Sequence, residues 1–172
     1  AAAVQLDRSF YEDRTLRQNL AAFNDSKVIS EEQREYLHER LETWASEKRL
    51  HMATAFADIE EIEKNNILGA TRLAMTRAIE KLAPSWIDHD GYRCLATQAP
   101  SKSNAPDGAD QTPPLLRLLV DGRPLRPFPC HHDAIIGGDA KSLAIAMASI
   151  LAKVTRDRHM QTCHQRFPGY GF

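Results

Sequence analysis

The sequence has few cysteines, no long apolar run and almost no net charge. Its three cysteines, Cys94, Cys130 and Cys163, are odd in number and far apart. They therefore predict neither a disulfide framework nor a Cys-x-x-Cys metal site, and we expect reduced thiols. The longest apolar stretches, such as 143–152, are too short and too interrupted to cross a bilayer, and no basic-then-apolar leader opens the chain. We therefore expect a cytoplasmic protein without a membrane partner.

A net charge of −1 over 172 residues excludes a surface that is basic throughout. The charge is nevertheless uneven, because residues 116–172 carry 8 Lys and Arg against 4 Asp. This basic third could meet phosphates, or it could be an ordinary solvated helix surface. Hydrophobic residues at 42% and charged residues at 26% are typical of a globular protein, and the length predicts a single domain over 1–172.

Strand and helix patterns alternate in the first half of the chain. Residues 1–6 resemble the end of a buried strand, and 51–56 predict a second short strand. Ser30 with Gln33 forms a capping box for a helix that runs to about Ala45. The residues expected on the buried face of this helix are Tyr36, Leu37, Leu41 and Trp44.

A second capping box, Asp58 with Glu61, predicts the start of another helical region. Its apolar spacing ends before Pro84 and comprises Leu68, Thr71, Met75, Ile79 and Leu82. Residues 91–114 are poor in large apolar side chains and rich in Ala, Ser, Asp, Gly and Pro, so they predict a flexible surface insertion or, less simply, a specific binding loop.

The last third of the chain continues the alternation. Residues 115–120 form an apolar run of strand length that predicts a strand buried on both faces, closed by Asp121 and Gly122. A helix is expected from near Ser142 to about Gln165, with small residues that would let another backbone come close. Alternating strands and helices indicate an α/β fold.

Asp121 and Asp139 are the candidate catalytic and metal-binding residues. Asp121 ends the best strand, where open α/β sheets place their ligands, and Asp139 follows two glycines just before a helix. Carboxylates so placed could share Mg²⁺ or a similar ion that prefers oxygen ligands. The alternatives stay open, because Asp-Gly also forms tight turns and an Asp before a helix often serves as a cap.

Several residues could contact a nucleic acid. Lys27 and Lys153 could hold phosphate oxygens, and Tyr170 could stack on a sugar or base. Each also has an ordinary interpretation, as a surface lysine or a packed turn. Asp157 is more simply a helix-surface ion-pair partner than a ligand. The adjacent His131 and His132 would not converge on one metal in extended chain, so solvated loop histidines are expected.

The chain resembles the ribonuclease HII family in six ordered segments. They are 24–27 (Asn-Asp-Ser-Lys), 66–68 (Asn-Ile-Leu) with the following helix, 119–122 (Leu-Val-Asp-Gly), 138–142 (Gly-Asp-Ala-Lys-Ser), 148–158, which ends in Thr-Arg-Asp-Arg, and 168–172 (Pro-Gly-Tyr-Gly-Phe). Together they span nearly the whole sequence except residues 91–114, which look like an insertion before the strand that bears Asp121.

The resemblance implies a ribonuclease H-like mixed sheet flanked by helices and a site of four carboxylates that bind Mg²⁺ or Mn²⁺. Asp121 matches the third carboxylate, Asp139 the fourth, and Lys27 a lysine of the substrate-binding face. The implied activity is two-metal-ion hydrolysis of the RNA strand in RNA–DNA hybrids, with incision on the 5′ side of ribonucleotides embedded in duplex DNA. The expected partner is such a duplex, bound by a monomer.

The sequence also departs from the family pattern. The family's first two carboxylates lie in an Asp-Glu-Ala-Gly-Arg-Gly motif on its first strand, and this chain begins just after the position of that motif. It also stops at Phe172, before a segment with a tyrosine that recognises the ribonucleotide junction. We therefore expect a chain truncated at both ends, with its first strand missing, weak metal binding and marginal stability.

Two further hypotheses belong to other classes. A catalytically incomplete fragment could act only as a hybrid-duplex binding module, using Lys27, Lys153 and the basic C-terminal helix. It would show salt-sensitive binding without cleavage. A helical interaction module without a nucleic-acid role would show neither, and it leaves the six ordered matches unexplained.

Overall fold

A computed structural model describes most of the chain, and this part alternates between helices and short strands. The described residues are 1–6, 8–13, 20, 22–23, 29–82, 117–129 and 131–171. The predicted insertion at 91–114 lies outside them. The mixture of helices with short strands confirms the predicted α/β class.

Within these residues the longer helices follow the predicted positions closely. The elements are, in order, β1 (Ala2–Leu6), α1 (Arg8–Glu12), α2 (Glu31–Ser46), β2 (Leu50–Thr54), α3 (Ile59–Leu82), β3 (Leu119–Asp121), β4 (Asp133–Ile135) and α4 (Leu143–Arg166), with short 3₁₀ turns at Gly138–Ala140 and Pro168–Tyr170.

The strands form two separate two-stranded sheets in the described part of the chain. β1 pairs antiparallel with β2, in a register that places Val4 opposite Met52. β3 pairs parallel with β4, and Asp121 lies opposite Ile135. The strand at β3 is shorter than the apolar run predicted, because within the described residues regular pairing begins only at Leu119.

Helix α2 begins at the predicted capping residue. The Ser30 hydroxyl accepts a hydrogen bond from the Gln33 amide at 3.2 Å, which satisfies one of the unpaired N–H groups of the first turn. The helix buries Leu37, Leu41 and Trp44 as expected. The expectation for Tyr36 was wrong, because its side chain is 55% exposed. The fourth buried residue of this helix is instead His38.

Helix α3 has the reciprocal capping box predicted from Asp58 and Glu61. The Glu61 amide donates to Asp58 Oδ1 at 2.8 Å, and the Asp58 amide donates to Glu61 Oε2 at 3.0 Å. The helix is interrupted at Asn66, whose φ of 56° is left-handed. Asn66 Oδ1 accepts from the amide of Leu68 at 3.0 Å and so caps the second half. The break leaves Leu68 exposed, although its spacing predicted burial.

The main core lies between α2, α4 and the β1–β2 sheet. Helix α4 contacts β1 and α2, and the small residues in its sequence alternate with large buried ones. The buried members of this core are Phe10, Phe23, Leu37, Leu41, Trp44, Leu50, Ala146, Met147, Ile150, Leu151 and Val154. No helix in the described ranges is both long enough and apolar enough to cross a membrane.

Candidate metal centre and nucleic-acid interface

Asp121 lies at the carboxyl end of β3, as the sequence predicted. Its side chain is exposed, and its Oδ1 accepts a hydrogen bond of 2.8 Å from the amide of Gly138. Gly122 follows with a φ of 96°, a conformation that favours glycine, and its amide continues the ladder by donating to Ile135 at 2.9 Å. The Asp-Gly pair therefore turns the chain away from the sheet while it holds the carboxylate toward the next loop.

Asp139 lies in that loop, within the 3₁₀ turn Gly138–Ala140, and is only 5% exposed. Its Oδ1 accepts a local hydrogen bond from the Ala140 amide at 3.1 Å. Asp139 does not cap α4, because the residue at the helix N-cap is Ser142. Asp139 directly follows Gly138, the glycine whose amide donates to Asp121. Both predicted carboxylates therefore belong to residues at or beside the turn Gly138–Ala140.

Gly138 is the residue that permits this approach. A Cβ at its position would lie 2.6 Å from Ile145 Cδ1 and 3.1 Å from Asp121 Oδ1. Any other residue would push Asp121 away or displace the start of α4. The sequence signal for this role was the pair Gly137-Gly138 before Asp139, and the preceding Gly137 adopts a φ of 64°.

The donor set is made of carboxylate oxygens, which suit Mg²⁺ or Mn²⁺ in type. The number of such ligands is small. Within the part of the chain that the structure describes, no group of three or more His, Cys, Asp or Glu side chains could hold a metal ion. The assignment of Asp121 and Asp139 as metal ligands stays a prediction.

An ion pair flanks the two strands that carry this turn. Arg117 Nε donates to Asp133 Oδ2 at 2.6 Å, joining the start of β3 to the start of β4. The hydrogen bond from Arg117 lowers the pKa of the Asp133 carboxyl, so the pair is charged at neutral pH. Both side chains are well exposed, so the pair adds little to stability. It links the segments that precede and begin the two paired strands, and so favours their observed register.

Lys153 lies on α4 and is engaged by its own helix. Its ammonium group donates to both carboxylate oxygens of Asp157, each at 2.7 Å, one turn farther along. Asp157 is therefore an ion-pair partner, as the sequence predicted. Arg156 adds a longer contact of 3.7 Å to the same carboxylate. The positive charge of Lys153 is thus partly balanced in this structure.

The remaining predicted residues are Tyr170, Lys27, His131 and His132. Tyr170 is 78% exposed in the 3₁₀ turn after α4, and its ring meets Phe167 edge-on at 6.5 Å between centroids. Lys27 lies outside the described residues. His131 is exposed in its loop, whereas the imidazole of His132 accepts a hydrogen bond from the Leu125 amide at 3.1 Å and is structural.

The sequence interpretation missed the link across the break in α3. Arg77 donates to Glu61 Oε2 at 2.8 Å, which ties the second half of the helix to the capping box of the first. The hydrogen bond from Arg77 lowers the pKa of Glu61. Their separation of 16 residues carried no sequence signal, because an uninterrupted helix would place them more than four turns apart.

Comparisons with known proteins agree on one family. The family model described as Ribonuclease HII matches residues 117–172. Curated proteins named Ribonuclease HII are 36% identical over 177 residues in Cupriavidus necator and 37% identical over 174 residues in Burkholderia mallei. Another, from Acidovorax sp., is 37% identical over 172 residues. Each match covers 100% of this chain but only 56%, 61% and 63% of the respective relative.

Proposed function

This chain belongs to the ribonuclease HII family, and we propose that it carries part of the active site of an endonuclease. The substrate is the RNA strand of RNA–DNA hybrids, together with ribonucleotides embedded in duplex DNA. The observation that carries the proposal is the Asp121–Gly138 hydrogen bond of 2.8 Å, because it brings the carboxylate at the end of β3 to the turn that contains Asp139.

Asp121 and Asp139 are the residues that would hold Mg²⁺ or Mn²⁺. Two such ions supply phosphodiester hydrolysis with a more nucleophilic water and with positive charge beside the leaving oxygen. The Gly138 amide fixes the orientation of the Asp121 carboxylate, so the group need not reorganise when a ligand binds. The exposure of Asp121 leaves it accessible to a duplex, while Asp139 forms the buried side of the turn.

The basic C-terminal third would position the duplex. Tyr170 offers an exposed ring on which a sugar or base would stack. Lys153 and Lys27 would contact phosphate oxygens, and for Lys153 that contact competes with its ion pair to Asp157. The protein would act as a monomer in the cytoplasm.

The second candidate function is a hybrid-duplex binding module without catalysis. It is favoured by the small donor set, because within the described residues no group of three or more metal-ligating side chains is present. With few ligands, charge that develops in the transition state would be poorly compensated. This candidate predicts binding that weakens steeply with salt and no cleavage with either metal.

The experiment is cleavage of a labelled DNA duplex that contains one ribonucleotide, with Mg²⁺ or Mn²⁺. The chain alone is compared with a chimera that adds the residues flanking the matched part of the Cupriavidus necator relative. We expect the chimera to cut, and Asp121→Asn or Asp139→Asn to lower its rate by at least about 10²-fold.

The matched control is Glu39→Gln, which removes a carboxylate from the exposed side of α2 and should leave the rate unchanged. A folded chimera that binds the duplex but never cuts it would replace the nuclease proposal with the binding module. A chimera that neither binds nor cuts would exclude both functions.

A further inference from the structure

Two side chains of types that bind metal ions meet near the end of α4, away from Asp121 and Asp139. Cys163 Sγ lies 3.6 Å from Nε2 of His159, which precedes it by one helical turn. His159 lies 16 residues beyond the start of α4 at Leu143, which corresponds to about 24 Å of helix. The pair is therefore separate from the turn that contains Asp139.

Both side chains of this pair can be reached from solvent. His159 is exposed, and Cys163 is partly exposed and forms no disulfide. Thiolate sulfur and imidazole nitrogen are ligands that Zn²⁺ favours, whereas Mg²⁺ and Mn²⁺ favour oxygen. The pair therefore suits a different class of cation from the carboxylates of Asp121 and Asp139.

The separation of the two atoms fits one tetrahedral ion. Zn²⁺ bound to a sulfur at about 2.3 Å and to a nitrogen at about 2.0 to 2.1 Å holds these two atoms about 3.5 to 3.6 Å apart. The Sγ–Nε2 distance of 3.6 Å already has this value. Residues four apart lie on one face of a helix, so the backbone of α4 keeps the pair together. A weak N–H···S hydrogen bond would show the same distance, but it predicts no response to a metal ion.

A second part of the fold holds the imidazole in place. The ring of Phe56, two residues beyond the end of β2, lies 5.3 Å from the ring of His159 between centroids. The carbonyl of Phe56 accepts a hydrogen bond of 3.1 Å from Arg77, which ties this residue to α3. A ligand whose orientation is fixed by its neighbours needs less reorganisation when a metal ion binds.

We propose that His159 and Cys163 together bind one Zn²⁺ ion or a cation with the same ligand preference. The described part of the chain contains no group of three or more His, Cys, Asp or Glu side chains that could hold a metal ion. It therefore supplies two ligands, and water completes the coordination. Affinity is consequently far below that of a structural site with four protein ligands. It rises with pH, because the thiol must lose its proton to bind.

This inference uses neither the carboxylates of the proposed nuclease site nor cleavage of a nucleic acid. Its failure would leave the proposed function untouched, and an inactive protein could still bind Zn²⁺ at this pair.

The test measures how fast iodoacetamide alkylates Cys163 in the untagged full chain, with and without Zn²⁺. Trypsin releases Cys163 in the peptide 159–166, which contains no other cysteine, so mass spectrometry reads this thiol alone. We expect Zn²⁺ to slow alkylation at least about 10-fold, because the coordinated sulfur is no longer a free nucleophile. Mg²⁺ at the same concentration should have no effect, because it favours oxygen ligands.

His159→Gln should abolish the protection by Zn²⁺. His164→Gln is the matched control, because it removes an exposed imidazole beside Cys163 that projects from another side of the helix. Protection should persist in this control. No protection in the unsubstituted chain, or equal protection in the two histidine variants, would overturn the inference.

A second measurement does not depend on alkylation. Co²⁺ bound in place of Zn²⁺ should give a thiolate-to-metal charge-transfer absorption, which Cys163→Ser removes. Both side chains lie outside the core, so the variants should keep the thermal melt of the unsubstituted chain. A Co²⁺ complex without this absorption would show that the sulfur is not a ligand.

Discussion

The unit built from β1, β2 and α2 differs from the unit built from β3 and β4 in how much apolar surface it buries. The first unit packs on α4, and the ring of Trp44 in α2 lies 5.6 Å from that of Phe10 in α1 and 5.7 Å from that of Phe23, between centroids. In the second unit Val120 is the one residue of the two strands that is buried. The residues that stabilise the fold and the candidate catalytic residues therefore lie in different parts of the molecule, because Asp121 and Asp139 belong to the part that buries little apolar surface.

The largest effect should come from the core of the first unit. Leu41 is fully buried, so Leu41→Ala should lower the free energy of unfolding by about 2 to 5 kcal/mol. The control Leu68→Ala removes a side chain that is 56% exposed and should cost less than about 1 kcal/mol. Urea unfolding measures both, and equal losses would show that the two positions are buried alike.

Gly138 tests whether the second unit depends on packing at one point. Gly138→Ala should cost about 1 to 3 kcal/mol, because its Cβ would overlap Ile145 and displace Asp121. Gly169→Ala is the matched control, since a Cβ there meets nothing within 4 Å. Thermal melts and metal titration should both change for Gly138→Ala and neither for Gly169→Ala. Unchanged metal affinity in a folded Gly138→Ala protein would contradict the assigned role of Gly138.

His38 makes the first unit sensitive to acid. His38 is only 4% exposed, and among the described residues its Nδ1 has no hydrogen-bond partner. Burial lowers its pKa from 6.5 although Glu42 lies nearby. Because the folded state favours the neutral ring, this stability is complete above pH 6.5 and is lost as pH falls from there toward the folded pKa.

The measurement is urea unfolding at several pH values between 7.5 and 5.5. The loss of stability in this window should shrink in His38→Leu, because leucine fills the buried position with a side chain that does not titrate. An identical pH profile for the variant would show that other groups cause the loss.

The smallest effect on stability should come from the ion pair of Lys153 with Asp157. Asp157→Asn should change the free energy of unfolding by no more than about 1 kcal/mol, because the pair is partly solvated. Under the proposed function it should also strengthen hybrid-duplex binding, since it releases Lys153 for phosphates. Lys153→Ala should weaken binding and reduce the salt slope by about 1. Tighter binding by both variants would exclude a phosphate contact at Lys153.

Local signals predicted the helices well. Ser30 with Gln33 and Asp58 with Glu61 form the capping boxes expected of them, because the groups that satisfy a helix terminus lie within three residues. The helix from Leu143 to Arg166 matches its prediction closely. Tyr36 and Leu68 were wrong because the apolar pattern records which faces could be buried, and the position of neighbouring elements decides which are.

The candidate site was predictable in its residues but less so in its arrangement. The sequence predicted Asp121 because it follows an apolar run of strand length, and Asp139 because it follows two glycines just before a helix. Nothing in the spacing of 17 residues between Asp121 and Gly138 fixed the hydrogen bond that Gly138 donates to Asp121. The roles of Lys27, Lys153 and Tyr170 in substrate binding stay predictions, as do a single domain over 1–172 and the insertion at 91–114.

The sequence by itself determined the helix starts, the α/β class, the ordered family motifs and the two carboxylates, because caps, periodicity and motifs depend on neighbours along the chain. Tertiary structure alone decided that the described strands form two sheets, that His38 is buried with no partner for Nδ1 among the described residues, and that Gly138 holds Asp121. These features depend on residues that are distant in sequence, whose approach is set by packing and not by local preference.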